Sequence, residues 1–302
     1  MRFGVWLVSA MWAAGAVAAT GDGKVLGQKP SYVEGPPASF PNQQAITPRV
    51  WIPGLDEGWT PQGVALSGRY ALVTSYQDQD PGKARCRVFR VELATGAAAG
   101  SFDMPEPCRH AGGLTDIGGG YVIVADTRQD WRVDVEKAIA AGKAEGATTG
   151  MIKLGVGFGS AFTFFDGKDL WNGVFVTEKN AEDSKVYRLD MALFDRDGVN
   201  VDKDVPLEVV KVPIHAQGGA FDAQGNLWIA GSYGPRISYL ARVDRRTGQT
   251  LARYDMPPRI ENIAFDKDGR LWAISESGSQ KYHNAKDQDF PFIFEIDVAK
   301  LK

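Results

Sequence analysis

The chain has three histidines, His110, His215 and His283, and two stand in matching contexts: His110-Ala111-Gly112-Gly113 and His215-Ala216-Gln217-Gly218-Gly219. Imidazole titrates near neutral pH, so it serves as a general base or as a donor to a divalent ion. Carboxylates and cations recur at comparable spacings: Arg109 beside His110, then Asp126, Arg128, Glu178, Glu261 and Glu276, with Tyr233 and Asn262 among them. Such a set suits a polar site for a metal or a small polar ligand, provided the fold gathers residues so far apart. The alternative is that these side chains plug a channel and satisfy loop carbonyls.

The element pattern supplies a way to gather them. Gln217-Gly218-Gly219-Ala220-Phe221-Asp222, a turn, and Leu227-Trp228-Ile229-Ala230 are echoed by Asn262-Ile263-Ala264-Phe265-Asp266, a turn, and Leu271-Trp272-Ala273-Ile274. Weaker copies start at Gln62, Gly112 and Ser160, the last with its second strand expected over residues 170–178, and each pair is followed by an alternating strand. Four antiparallel strands in units of roughly 40 to 60 residues is the pattern of propeller blades. The reading is all-β: a five-bladed β-propeller over residues 47–302. The last copy stops after three strands, and an open ring would leave two bare edges. Residues 48–55, around Val50-Trp51-Ile52, are expected to donate the missing outer strand.

Propeller connectivity then sorts residues by face. Loops leading into innermost strands and loops after second strands share one face, which carries all three histidines and the carboxylates named above. Turns between first and second strands lie opposite, so Asp222, Asp266 and Asp268 read as turn residues. Trp171, Trp228 and Trp272 occupy equivalent positions and read as packing between blades rather than as a stacking platform. Residues 135–144 have helical propensity. Residues 195–204 alternate oxygen donors like a calcium loop but lack its glycine position and distal glutamate, so a solvated acidic turn is the simpler account.

Composition bounds the rest. With 302 residues, 44% hydrophobic, and a net charge of −3, the chain has no general attraction for nucleic acid or anionic lipid. Arg2, the apolar run from Val5 to Ala18 and the small residues Ala16-Val17-Ala18-Ala19 read as a signal peptide over residues 1–19. An uncleaved anchor is the alternative, although the run is short for a membrane span. Residues 20–46 read as an extended tether. A periplasmic or secreted location follows, with no integral membrane span. In an oxidising compartment Cys86 and Cys108 can pair in one way only, and the loop of about 22 residues would contribute roughly 3 kcal/mol. Two free thiols are the alternative. The bond would brace the loop carrying Arg109 and His110. No G-x-S-x-G elbow, phosphate loop or H-E-x-x-H motif occurs.

The copies Phe221-Asp222-Ala223-Gln224-Gly225-Asn226-Leu227-Trp228 and Phe265-Asp266-Lys267-Asp268-Gly269-Arg270-Leu271-Trp272 resemble the repeats of NHL-type and gluconolactonase/regucalcin-type propellers. Trp59-Thr60-Pro61-Gln62-Gly63 and the segment 276–282 also resemble secreted bacterial propellers. The gluconolactonase resemblance implies a divalent metal such as calcium in the channel, with Glu261 and Asn262 as ligands. It further implies a metal-assisted hydrolase of lactones or esters in which Glu261 and a base, His110 or His215, are catalytic. Five blades, where that group has six, and ligands that do not map cleanly set limits on this implication. A five-bladed glycosidase would need two facing carboxylates from Asp126, Glu178, Glu261 and Glu276. A binding module for a small polar ligand or another exported protein is the reading ranked first, with Arg109, Asp126, Arg128, Glu178, Tyr233, Glu276 and His283 as contacts.

Overall fold

The computed structural model describes residues 24–34, 37, 39–77, 84–235, 237–283 and 289–302. The expected signal peptide lies outside these residues. Five antiparallel sheets stand around one axis, and their innermost strands touch in the order one, two, three, four, five, one. Blade one comprises Thr60–Ser67, Tyr70–Gln77, Arg85–Glu92 and Ala98–Asp103. Blade two comprises Gly113–Gly118, Tyr121–Asp126, Gln129–Asp134 and Thr148–Leu154; blade three comprises Phe162–Phe165, Leu170–Gly173, Lys185–Leu189 and Glu208–Lys211. Blade four comprises Ala216–Phe221, Leu227–Tyr233, Ile237–Val243 and Thr250–Asp255. Blade five takes Ile260–Phe265, Leu271–Ser275 and Phe292–Ile296 from the chain's end and Ile46–Trp51 from its beginning. The N-terminal strand thus closes the ring, with Ile46 opposite Ile296 and Trp51 opposite Phe292.

The tryptophans show why the blades stay together. Trp171, Trp228 and Trp272 are 0%, 5% and 6% exposed, and their indole N–H groups donate to Asp166, Asp222 and Asp266 at 2.8, 2.9 and 3.0 Å. The same aspartates accept backbone N–H groups of their own turns. One carboxylate therefore fixes the turn and satisfies the one polar atom of a buried ring. Each ring faces the next blade: Trp171 meets Phe221, Trp228 meets Phe265, and Trp272 joins the cluster holding Val64 of blade one. Asp268 is half exposed and pairs with Lys267 and Arg270.

Two insertions depart from the four-strand plan. The helix Val135–Ala141 is capped by Asp134, whose side chain accepts from Lys137 N–H, and ends at Gly142 with φ of 69°. It packs on the outer strand of blade one, and its Glu136 pairs with Arg90 of the neighbouring third strand, so it fastens blades one and two together. The acidic segment places Asn200–Val201 parallel to Thr148–Leu154, giving blade two a fifth strand. Within it Asp195 pairs with Arg132, and Asp202 accepts the N–H of Asp204. The second strand of blade three is shorter than the sequence suggests. It ends at Gly173, and the chain then runs to the head of blade four, where His215 N–H donates to Val176 O at 2.9 Å. Among the described residues no helix is long and apolar enough to cross a membrane.

Candidate functional site

The face that receives the heads of the innermost strands is built by backbone irregularity. Ladder register shifts between Pro61 and Val64, between Ala216 and Gly218, and between Ile260 and Ile263. These bulges turn Gln62, Gln217 and Glu261 toward the axis. Of the four non-glycine residues with positive φ among the described residues, three also stand here: Ala111 (40°), His215 (67°) and Arg259 (55°). Left-handed backbone is costly for residues with a Cβ and persists where the surroundings hold it in place.

Pairing register makes the blades comparable position by position. Gln62, Gly112, Ala161, Gln217 and Glu261 are equivalent, each two residues before the matching ladder positions Val64, Leu114, Thr163, Gly219 and Ile263. Above them, at or just past the ends of the second strands, Tyr76, Thr127, Phe175, Ser232 and Glu276 each follow the matching ladder positions Val73, Val124, Asn172, Ile229 and Ala273 by three residues. Blades four, five and one therefore present amides, carboxylates and hydroxyls, while blades two and three present Gly112, Ala161, Thr127 and Phe175.

The polar half is closely bonded. Glu276 accepts from Arg259 Nη1 at 3.0 Å and Gln62 Nε2 at 2.9 Å. Glu261 accepts long bonds, from Ser232 Oγ at 3.3 Å and Gln217 Nε2 at 3.4 Å. Both carboxyls are buried, 2% and 7% exposed. Burial raises both pKa values, Glu276 to about 7, and the Glu276 charge adds to the effect on Glu261. Glu276 has the better donors and Glu261 the weaker, so the proton of the pair resides on Glu261. Asn262, on the neighbouring bulge position, donates to Leu114 O at 3.2 Å and accepts from Ile263 N–H at 2.7 Å. Blades five and two are not adjacent, so the Leu114 bond crosses the axis. The channel is plugged, and the mouth is a basin rather than a pore.

The other expected residues fall into two groups. Asp126 accepts the backbone N–H groups of Arg109 and His110, both at 3.1 Å, and the Cys86–Cys108 disulfide holds the same loop from below. The His110 ring lies 4.7 Å from Tyr76, whose hydroxyl accepts from Lys281 at 3.0 Å. His215 stacks on Tyr233 with ring centroids 4.7 Å apart, and its Nε2 lies 3.4 Å from Glu178. That carboxylate's pKa is lowered, first by a backbone N–H bond and also by the imidazole. His283 stands apart from both, against Asp289 and the edge of Tyr32. Glu261 and Asn262 reach separate partners rather than one shared point. Among the described residues no three His, Cys, Asp or Glu side chains are grouped to hold a metal.

Where blades two and three lack the long polar side chains, a cavity of about 530 Å³ opens. Phe158, Val174, Phe175 and Val176 form its apolar wall, and His110, Arg128, Ser160 and Gln217 its polar side. Arg128 is held at the rim by donating to Gly155 O at 3.1 Å. A groove of about 740 Å³ lies elsewhere, between residues 24–30 and the outer part of blade one, and contains none of the histidines. Sequence reading missed Phe175, Arg259 and the cavity itself. The visible signal was the Gln62, Gln217, Glu261 series broken by Gly112 and Ala161.

No family model matches the chain, and no curated protein is similar to it. Solved structures do resemble it. A glutaminyl cyclase from Myxococcus xanthus superimposes with a TM-score of 0.51 at 10% identity, covering 79% of this chain and 90% of that one. A protein of unknown function from Bacteroides caccae gives a TM-score of 0.45 at 12% identity, covering 72% of each chain. The PQQ-bound aldose sugar dehydrogenase from Streptomyces coelicolor gives 0.45 at 19% identity, covering 80% of each. At these identities the likeness to the cyclase is one of fold. The chain is a β-propeller.

Proposed function

We propose that the protein is an exported β-propeller that binds a small organic molecule with an apolar body and a polar head in the mouth cavity. The observation that carries this reading is the asymmetry of the ring. Three blades fill the basin with bonded polar side chains, and two leave a cavity with one aromatic and one polar wall. Cavities of this size and mixed lining suit small ligands. Phe158 and Phe175 would cover the apolar body, while Gln217 and His110 would orient the head. The Cys86–Cys108 bond and the leader expected over residues 1–19 support export. The disulfide and the bonds from Asp126 hold the His110 loop before any ligand arrives, which lowers the ordering cost of binding.

The test is a thermal-shift screen of small polar and aromatic metabolites, followed by calorimetry on hits. Ala161→Gln places in blade three the side chain that blades one and four already accommodate. It should fill the cavity and abolish binding with the fold intact by circular dichroism. Ligand affinity unchanged in this variant would remove the site.

Acid–base catalysis on the bound molecule is the second reading, favoured by the buried Glu261–Glu276 pair and its raised pKa values. Turnover of a hit, lost in Glu261→Gln while binding persists, is its expected signature. Glycoside hydrolysis is less favoured: Asp126 accepts two backbone N–H groups and the Glu261–Glu276 pair is buried. Metal analysis of the purified protein tests the metal-assisted hydrolase.

A further inference from the structure

Behind the cavity floor, between blades two and three, lies a second group of polar side chains that the proposed function does not use. Asp130, Ser160, Thr163 and Asn172 are each 0% exposed. Register shows how unusual their places are. Where blade two has Asp130, the other blades have Val88, Val186, Leu240 and Ile293. Where blade three has Asn172, they have Val73, Val124, Ile229 and Ala273; opposite these, Thr163 replaces Val64, Leu114, Gly219 and Ile263. Ser160, three residues before Thr163, stands where the others carry Pro61, Ala111, Ala216 and Ile260. Four positions that are apolar or glycine in every other blade are polar here, and only at this one junction.

The group is bonded together and incompletely satisfied. Asn172 Nδ2 donates to Asp130 Oδ2 at 2.6 Å, and Thr163 faces Asn172 across the ladder. Ser160 lies close enough to lower the Asp130 pKa without reaching hydrogen-bond geometry. Asp130 Oδ1, Asn172 Oδ1, Ser160 Oγ and Thr163 Oγ1 all lack a hydrogen-bond partner. Buried polar atoms are rarely left so, and four orphans in adjoining residues imply an occupant. The orphans are a carboxylate oxygen, an amide carbonyl and two hydroxyls, a hard-oxygen donor set. The charged side chain acting on Asp130 is Asp126, also negative, and Tyr187 is the other titratable neighbour. An ionised carboxylate buried without a cation is strongly disfavoured.

We propose that Asp130, Ser160, Thr163 and Asn172 form a binding site for a monovalent hard cation of the sodium or potassium class, seated between blades two and three. One carboxylate neutralises one positive charge, and the neutral oxygens replace its water. The cation would stabilise the junction and fix Ser160, whose other side borders the mouth cavity. The site stands on its own donors and does not depend on the cavity's ligand.

The experiment is thermal unfolding of the full protein at pH 8, titrated with NaCl or KCl against choline chloride at equal ionic strength. A saturable rise in Tm with an alkali cation, absent with choline, is expected. Asp130→Asn should abolish it, and Thr163→Val should weaken the apparent affinity at least tenfold. If Asp130→Asn does not fold, Ser160→Ala and Thr163→Val carry the test. Identical curves in choline and alkali salts overturn the proposal, as does an alkali effect that survives every variant. Asp130→Asn raising Tm at pH 8 by the same amount in all salts would assign the site to a proton and also overturn it.

Discussion

Glu276 gives the proposed mouth a measurable pH signature. Its carboxyl is buried against Glu261, and burial raises its pKa from 4.5 to about 7 in spite of Arg259 and Gln62. A folded-state pKa above the unfolded one means the native state holds the proton more tightly. The stability this contributes is present below about pH 4.5 and is lost as pH rises through about 7. At 1.36 kcal/mol per unit, the shift corresponds to about 3 kcal/mol between the ends of that window. The perturbation is Glu276→Gln, an isostere that keeps an acceptor for Arg259 and cannot ionise. Denaturant unfolding at intervals from pH 4.5 to 8 should show wild-type stability declining and the variant declining by about 3 kcal/mol less. In thermal scans this is a relative gain on the order of 5 to 10 °C at pH 8. Superimposable pH profiles for the two proteins would refute the assignment. So would a wild type that gains stability across the window.

Replacing both Cys86 and Cys108 by serine should cost about 3 kcal/mol from the freed loop, read in urea unfolding, and loosen the His110 loop in hydrogen exchange. Val50 is 0% exposed in the strand that completes blade five, so Val50→Asp buries an unpaired charge and should cost more than about 4 kcal/mol. A soluble, cooperatively folding Val50→Asp protein would contradict closure by this strand.

The repeat was legible because two copies, at Phe221 and Phe265, keep the Asp turn and the Trp intact. The weaker blade three was placed through Trp171, although its second strand was extended too far. Val174-Phe175-Val176 reads as continued strand, and nothing local says that it leaves the sheet to bond His215. The shared face of His110 and His215 followed from connectivity alone. Pairwise contacts did not: nothing in the sequence says that the Asp126 carboxylate accepts the backbone N–H groups of Arg109 and His110. The Asp130 group escaped because each member is ordinary by itself. Only alignment of the blades against one another shows polar residues standing in an apolar layer, and that alignment needs the ladder register at the bulges.

Closure by the outermost strand of blade five sets a constraint on synthesis. Ile46–Trp51 is made long before its partner Phe292–Ile296. At 5 to 20 residues per second, the interval is on the order of tens of seconds. Throughout it Val50-Trp51-Ile52 is an unmatched sticky edge while neighbouring sheets assemble. Pro48 and Arg49 sit within that strand, a residue with no N–H to offer and a charge, both of which discourage wrong partners. The protein's vulnerability is therefore temporal: slowed translation should promote its aggregation well before heat does.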